Sequence, residues 1–252
     1  MPLLQVALNG HRTTADHPAV PRTPEEIAGE ARASVDAGGQ VLHIHAYAGE
    51  TSETLEAAPC AAMLRAVRRA CPGVPISMTT AAYLAPDPER RLALIAAWTE
   101  LPDLVTANQR EDGIVELCEH LLERGVGIEA GLLEVGDAEV FVGSRIASRC
   151  RRVLVEPLDA DPDAAVAHGA AIEAVLSHAG ISLEQIHHGD LVASWAVSER
   201  GARRGHGIRT GLEDTTVLPD GTLAQDNAEL VRAAVQLLSR VGLASYRAPR
   251  YA

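Results

Sequence analysis

Two histidines stand one residue apart inside an apolar run of the sequence. The segment 41–47 reads VLHIHAY, which places His43 and His45 among Val, Leu and Ile. In a β-strand, side chains two residues apart project from the same face. A lone histidine in such a run is usually a satisfied core residue, whereas two imidazoles on one face can converge on one metal ion. The paired spacing therefore predicts a metal site, although many unrelated metal sites share the H-x-H pattern.

Two carboxylates near the end of the sequence supply a candidate third ligand. Glu213 and Asp214 follow the apolar Ile208 and Leu212 in the segment IRTGLEDTT. The alternative is that they cap the next segment and pair with an arginine. Two histidines and one carboxylate leave coordination positions open for a substrate, as in catalytic Zn²⁺ and Fe(II) sites. Zn²⁺ is predicted, because nothing else in the chain indicates oxygen chemistry.

The composition limits the possible classes of function. The chain has 252 residues, and its formal net charge of -12 argues against a nucleic-acid partner, which requires a basic face. All 22 basic residues are arginine, which excludes a Schiff-base lysine and a lysine general base. The four cysteines form no C-x-x-C pair and are predicted to be buried, reduced thiols. We expect neither a signal peptide nor a membrane span, and a cytoplasmic location.

Short apolar runs alternate with segments of helical periodicity along the chain. The apolar runs predict strands at 3–9, 41–47, 75–80, 104–109, 126–133, 152–157, 183–189 and 207–213. Helical segments are predicted at 23–38, 53–71, 88–101, 113–125 and 227–242. Eight strand–helix units without a break in composition predict an α/β protein, a (β/α)8 TIM barrel formed by residues 1–252 as one domain. A doubly wound sheet is the alternative, but no glycine-rich fingerprint follows the first strand.

In such a barrel, functional side chains lie at the C-terminal ends of the strands. The polar residues at the predicted strand ends include Asn9, Thr79, Thr80, Asn108, Glu129, Glu156, His187 and His188. Some of them must satisfy loop backbones instead of binding a substrate. Because adjacent strand residues face opposite sides, at most one of His187 and His188 is expected to line the site.

Three segments, taken together, resemble the β-keto acid cleavage enzyme family. They are ALNGHRTTADHPAVPRTPEEIAGEA, VLHIHAYAGETSETL and IRTGLEDTTVLPDGTLAQDNAELV, in this order. Their joint occurrence is far more specific than the H-x-H pattern alone. The resemblance implies a (β/α)8 barrel with a zinc-binding H-x-H. It also implies a reaction between a small-molecule β-keto acid and acetyl-CoA as cosubstrate, which yields acetoacetate and an acyl-CoA.

The resemblance also assigns roles to individual residues of this chain. The implied zinc ligands are His43, His45 and Glu213, and the implied catalytic residues are Arg209, Asp214 and Glu129. Asp214, oriented by Arg209, is the expected proton acceptor. Glu129 lies in GIEAGLLEV, which departs from the corresponding segment of longer family members. Asn9, Thr79 and Asn108 are expected to bind the substrate.

One position departs from the family pattern. The usual H-x-H-x-R becomes HIHAY, so Tyr47 stands where an arginine is expected. Tyr47 is expected to contact the substrate, and a phenol cannot make the charged bidentate contact of an arginine. We therefore predict a preference for keto acids whose distal part is uncharged or cationic over those with a second carboxylate. Two other interpretations stay open: a metal-dependent lyase or hydrolase that acts without CoA, and a noncatalytic barrel that binds a small acid. A homo-oligomer is expected.

Overall fold

The barrel is seen directly in the computed structural model, which describes residues 2–49 and 52–242. Within these residues, eight parallel strands form one closed ring. They are β1 (Leu4–Ala7), β2 (Val41–Ile44), β3 (Ile76–Thr79), β4 (Leu104–Asn108), β5 (Gly127–Leu132), β6 (Arg152–Val155), β7 (Glu184–His187) and β8 (Gly207–Thr210). Each strand pairs with the next one in sequence, and β8 pairs with β1 to close the ring. The predicted (β/α)8 barrel is confirmed.

Eight α-helices in the described part of the chain follow the strands. They are α1 (Pro24–Ala37), α2 (Ala57–Ala70), α3 (Pro88–Ala96), α4 (Ile114–Glu123), α5 (Val135–Val142), α6 (Pro162–His178), α7 (Ser194–Arg203) and α8 (Asn227–Arg240). Five of them lie within or overlap the predicted helical segments, whereas α5, α6 and α7 were missed. Helix α6 is rich in alanine, so its apolar residues do not form the narrow stripe on which a periodicity argument depends.

Helix α1 shows how the local sequence sets the bounds of an element. The Thr23 hydroxyl accepts a hydrogen bond from the Glu26 amide at 3.2 Å, and the Glu26 carboxylate accepts one from the Thr23 amide at 3.0 Å. Pro24 occupies the first turn, where its missing N–H costs nothing. Gly38, at φ 127°, ends the helix in a conformation that other residues rarely adopt. The helical segment predicted at 23–38 is confirmed.

The strands end earlier than the apolar runs predict. Strand β2 ends at Ile44 and β8 at Thr210, so His45 and Glu213 lie in the loops that follow these strands. After β2, the two-residue segments Tyr47–Ala48 and Ser52–Glu53 pair as an antiparallel hairpin. For this reason α2 begins at Ala57, not at residue 53 as predicted. The loops, not the strands, therefore provide two of the three candidate metal ligands.

Strand alternation divides the buried residues into an apolar layer and a polar interior. In β1, Leu4 and Val6 pack with the core between the barrel and the helices, whereas Gln5 contacts Glu129 of β5 inside the barrel. All four cysteines are buried and free, as predicted. Among the described residues, no helix has the length and apolar character needed to cross a membrane. The polar interior lies directly below the candidate site.

Candidate metal and substrate site

The structure brings the three predicted metal ligands together at the C-terminal end of the barrel. The Nε2 atoms of His43 and His45 are 3.2 Å apart. The Oε1 atom of Glu213 lies 3.6 Å from Nε2 of His43 and 3.5 Å from Nε2 of His45. The donor atoms of all three residues lie within 4.8 Å of one another. Two nitrogen donors and one carboxylate oxygen thus surround a single point.

The chemistry of this donor set fits a divalent metal ion. The Oε2 atom of Glu213 is buried and has no hydrogen-bond partner, although a buried polar atom is normally satisfied. Imidazole nitrogens and a carboxylate oxygen are typical ligands of Zn²⁺. Three protein ligands leave positions free for a substrate, which is the arrangement of catalytic zinc sites. The residues present could therefore hold a divalent metal ion.

The two candidate histidine ligands have opposite pKa shifts. Burial lowers the pKa of His43 to about 3, so this ring is neutral and able to bind a metal. Burial acts in the same direction on His45, but the carboxylates of Glu213 and Glu53 outweigh it and raise its pKa to about 9. The cationic groups around Glu213 hold the pKa of its carboxyl well below the usual range, although burial acts against this. A bound ion must displace the proton from His45.

The loop after β1 places His45 and Glu213. The Asn9 side chain accepts a hydrogen bond from the His45 amide at 3.0 Å and donates one to the His45 carbonyl at 3.0 Å. Gly10 has φ 56°, and a Cβ atom there would lie 2.4 Å from Cγ of Glu213. Gly211, at φ 149°, packs against β1 in a similar way: a Cβ atom added to it would lie 2.0 Å from the Ala7 carbonyl oxygen. These glycines allow the two loops to meet, and Asn9 holds the backbone of His45.

Different groups bind the second nitrogen of each histidine. Nδ1 of His45 bonds to the carboxylate of Glu53, which also accepts the Tyr83 hydroxyl at 3.0 and 3.1 Å. Nδ1 of His43 lies 3.3 Å from the Ser77 hydroxyl and 3.3 Å from the Thr106 hydroxyl. Such partners fix the tautomer and the orientation of a metal-binding imidazole. Sequence reasoning missed Glu53 and Tyr83, because nothing in their segments indicates a contact with His45.

Glu129 lies below the three candidate ligands, inside the barrel, and is fully buried. Its carboxylate accepts hydrogen bonds from Gln5 at 3.0 and 3.1 Å and from the Ser77 hydroxyl. Nε of Arg152 is 3.6 Å away. Glu129 therefore connects to His43 through Ser77 and does not reach the cavity wall.

A second group of charged residues lies beside the candidate ligands. Nε of Arg209 donates to Oδ2 of Asp214 at 3.0 Å, and Nη2 donates to Oδ1 of Asp214 at 2.6 Å. The same Nη2 donates to Oε1 of Glu213 at 3.0 Å. Burial raises the pKa of Asp214 to about 6, although Arg209 acts to lower it. Arg209 thus links the candidate base to the candidate metal ligand.

A cavity of about 260 Å³ opens next to the candidate ligands. Besides those ligands, its wall includes Thr79, Tyr83, Thr106, Asn108, Glu156 and Arg209. Thr79 and Asn108, which were predicted to bind the substrate, are therefore placed at the cavity. Asn9 and Tyr47 lie behind its wall, and Asp214 lies next to the cavity-lining Arg209, to which it is hydrogen-bonded.

Tyr47 packs against the loop after β1. Its hydroxyl donates a hydrogen bond to the Gly10 carbonyl, and the Arg22 guanidinium lies 4.2 Å from the centre of its ring. The ring is 6% exposed. Position 47 therefore supports the Gly10 segment, and an arginine from the loop before α1 stacks on it.

The adjacent histidines at the end of β7 face opposite sides, as the sequence predicts. His188 is fully buried beside Asp214 and Glu156. His187 faces the helices, where its ring stacks on that of His206 with 4.6 Å between centroids. Only His188 approaches the candidate site.

His187 belongs to a second cluster of side chains that could bind a metal ion. Glu173, His187 and His206 offer donor atoms within 4.8 Å of one another. Glu173 accepts hydrogen bonds from Arg200 at 2.6 Å and from Nε of Arg204 at 2.7 and 2.8 Å. Burial acts to raise the pKa of Glu173, but these arginines and His206 outweigh it and lower the pKa to about 2.

Comparisons with known proteins find related enzymes. The family model for the beta-keto acid cleavage enzyme matches residues 3–139 and 162–249. The 3-keto-5-aminohexanoate cleavage enzyme of Fusobacterium nucleatum subsp. nucleatum is 27% identical, over 95% of this chain and 92% of that protein. The enzyme of the same name from Acetoanaerobium sticklandii is 24% identical over the same shares.

A solved structure supports the fold. The binary complex of ObcA with oxaloacetate has a TM-score of 0.69 and 14% sequence identity, and the match covers 89% of this chain. The chain spans 64% of the length of ObcA. At this identity the likeness concerns the barrel alone.

Proposed function

The chain belongs to the beta-keto acid cleavage enzyme family, and on this premise we propose that it converts a β-keto acid and acetyl-CoA into acetoacetate and an acyl-CoA with the help of zinc. The observation that carries the proposal is the convergence of His43, His45 and Glu213 beside a cavity at the C-terminal end of the barrel. This is the end at which (β/α)8 enzymes place their chemistry.

Three residues would hold the ion, and the cavity leaves room for the substrate. When bound to His43, His45 and Glu213, zinc supplies Lewis acidity toward the keto and carboxylate oxygens of the substrate. Thr79 and Asn108 line the same cavity and offer hydrogen bonds to the substrate. Small-molecule keto acids are the substrates that the family implies.

Asp214 is the proton acceptor in this proposal. It takes the proton from the carbon between the keto and carboxylate groups, while Arg209 orients it and stabilises its charged form. The carbanion adds to the carbonyl carbon of acetyl-CoA and expels the CoA thiolate. The thiolate then adds to the original keto carbon, and the acetoacetate carbanion leaves. Asp214 returns the proton to that carbanion, so the protons balance.

A second candidate is a metal-dependent lyase or hydrolase that does not use CoA. It is favoured by Tyr47, which replaces a family arginine. Losing a cation near the site removes one positive charge that would attract an anionic cosubstrate.

One assay tests the proposal without knowledge of the substrate side chain. The zinc-loaded protein is incubated with acetyl-CoA and each of a panel of β-keto acids, and acetoacetate is measured. Every productive substrate of this reaction yields acetoacetate, so one product reports on all of them. His45→Ala serves as the metal-deficient control. Consumption of a keto acid at equal rates with and without acetyl-CoA, with no acetoacetate formed, would establish the CoA-independent candidate instead.

A further inference from the structure

Glu156 is a cavity-lining carboxyl to which the reaction above gives no role. It follows the last residue of β6, and its side chain is 20% exposed. Its Oε2 atom lies 3.4 Å from Nε2 of His188, and its Oε1 atom lies 3.9 Å from Nη2 of Arg209. Neither contact is a hydrogen bond by distance and geometry. Glu156 thus faces the cavity with its carboxyl available to a bound molecule.

Glu156 shares its nearest cation, Arg209, with two other carboxylates that lie closer to it. Nη2 of Arg209 donates to Glu213 at 3.0 Å and to Asp214 at 2.6 Å, so the one nearby guanidinium already serves two carboxylates. The carboxylate of Asp190 adds negative charge to the same region. One cation cannot neutralise all of these carboxyls, so the carboxyl with the most distant contact to that cation is the one that keeps its proton.

His188 fills the space behind Glu156 without supplying a charge. It is fully buried, and both of its ring nitrogens lack a hydrogen-bond partner. Nε2 faces Glu156, and Nδ1 lies 3.7 Å from Oδ1 of Asp214. Burial, together with Arg209, holds the pKa of His188 well below its usual range, so the ring is neutral. A neutral imidazole at this distance does not favour the carboxylate form of Glu156 by charge.

We propose that Glu156 is a further catalytic residue, whose neutral carboxyl donates a hydrogen bond to the substrate oxygen that becomes negatively charged. This inference rests on the proposed function. The oxygens concerned are the acetyl-CoA carbonyl oxygen, when the carbanion adds, and the keto oxygen, when the thiolate adds. A carboxylic acid kept neutral in a water-poor site can act as such a donor. Removal of one donor of this kind lowers kcat about 100- to 1000-fold in other enzymes.

The protonation state of Glu156 predicts how kcat depends on pH. Burial raises its pKa to about 8, Arg209 of β8 acts to lower it, and the carboxylates of Asp214, Glu213 and Asp190 act to raise it further. Below this pKa the O–H donor is present. Above it the carboxyl is ionised and the donor is lost, so kcat falls as the pH rises.

The decisive experiment compares Glu156→Gln with Glu156→Ala. The glutamine amide keeps a hydrogen-bond donor but cannot accept a proton, whereas alanine removes the donor. With zinc-loaded protein at pH 7, we expect kcat to fall about 100-fold in Glu156→Ala and less than about 10-fold in Glu156→Gln. The decline of kcat at alkaline pH, present in the wild type, should be absent from Glu156→Gln. Glu139→Gln, at an exposed position of α5, is the matched control and should behave as wild type.

Two further measurements distinguish the loss of the Glu156 donor from the loss of zinc or of folding. Zinc content and thermal stability show whether a variant is loaded and folded. The infrared band of a protonated carboxyl, present in the wild type at pH 7 and absent from Glu156→Gln, reports the acid form without any substrate.

Several results would overturn the inference. They are a Glu156→Gln variant as slow as Glu156→Ala, a fully active Glu156→Ala, an alkaline decline that persists in Glu156→Gln, and a missing infrared band. Any of these leaves the proposed function standing if the wild type forms acetoacetate. If the wild type forms none, the proposed function fails and the donor role in that reaction fails with it.

Discussion

Two clusters in this molecule have the same donor set and opposite surroundings. The inner cluster consists of His43, His45 and Glu213, and the outer cluster consists of Glu173, His187 and His206. In both, two histidines and one glutamate hold their donor atoms within 4.8 Å of one another. The outer glutamate is saturated by two arginines, whereas the inner glutamate keeps an unpartnered buried oxygen. All three ligands of the inner cluster line a cavity, whereas the cavity beside the outer cluster is lined by Glu173 and its two arginines but not by the stacked rings of His187 and His206.

The difference shows that donor spacing alone does not define a metal site. A cation already bound to the outer carboxylate takes the place that a metal ion would occupy, and two guanidiniums repel a further positive charge. Around the inner cluster, one arginine serves two carboxylates and so leaves net negative charge. The charge that surrounds the ligands decides which cluster accepts an ion.

The largest expected effect is on bound metal. His45→Ala should reduce the zinc content from about one ion per chain to nearly none, because a two-ligand site does not retain the ion. His206→Ala, in the outer cluster, should leave the zinc content unchanged. Metal analysis of both purified variants tests this. Equal losses of zinc in the two variants would contradict the conclusion that the inner cluster alone binds the ion.

The next effect is on turnover. Asp214→Asn should lower kcat by about 100-fold or more, because an amide cannot accept the substrate proton. Its zinc content should stay at the wild-type level, since Asp214 is not one of the converging ligands. Steady-state kinetics and metal analysis of the same sample separate the two effects. A near-normal rate would place the base elsewhere.

A smaller effect, on stability, is expected in the outer cluster. Glu173→Gln should lower the free energy of unfolding by about 1–2 kcal/mol at pH 7. The expected loss is small because Arg204, one of the ion-pair partners of Glu173, is largely exposed and solvent screens its charge. The folded-state pKa of Glu173, about 2, is below its ordinary value of 4.5. Its stabilising effect is therefore complete above pH 4.5 and is lost as the pH falls toward 2.

Urea unfolding of Glu173→Gln and the wild type at several pH values checks this dependence. The difference between the two proteins should shrink as the pH falls. Turnover at pH 7 should be unchanged in the variant, and a large loss of turnover would connect the outer cluster to the reaction.

The smallest effect is expected at the border of the inner cluster. Tyr47→Phe removes the hydroxyl that donates to the Gly10 carbonyl and should cost about 1 kcal/mol of stability. Zinc content and the preference among keto acids should be unchanged, because Tyr47 lies behind the cavity wall. A changed preference would show that position 47 contacts the substrate, as the sequence predicts.

The parts that local patterns control were predictable from the sequence. The apolar runs identify all eight strands, and the capping residues of α1 locate that helix. The spacing of His43 and His45 indicates convergence on one ion, and the neighbours of Glu213 indicate burial. Periodicity gave no signal for α5 or for the alanine-rich α6, and it placed strand ends too late, because apolar residues continue into the loops.

The parts that depend on contacts between distant segments were not predictable. Asn9, expected to bind substrate, holds the backbone of His45, and Glu129 lies in the polar interior beneath Ser77. The contact of Glu53 with His45 depends on a short hairpin that no residue pattern reveals. The sequence identifies the polar residues at the strand ends, but the direction of each side chain depends on packing around the whole barrel.

The position of the inner ligands along the chain has a consequence for biosynthesis. Two ligands lie at and just after the second strand, and the third follows the last strand, which closes the ring against the first. A nascent chain carries the histidine pair early but completes the donor set only after the last strand of the barrel has left the ribosome. Metal acquisition is therefore tied to ring closure, and a truncated or stalled chain presents two histidines without the carboxylate that completes the site.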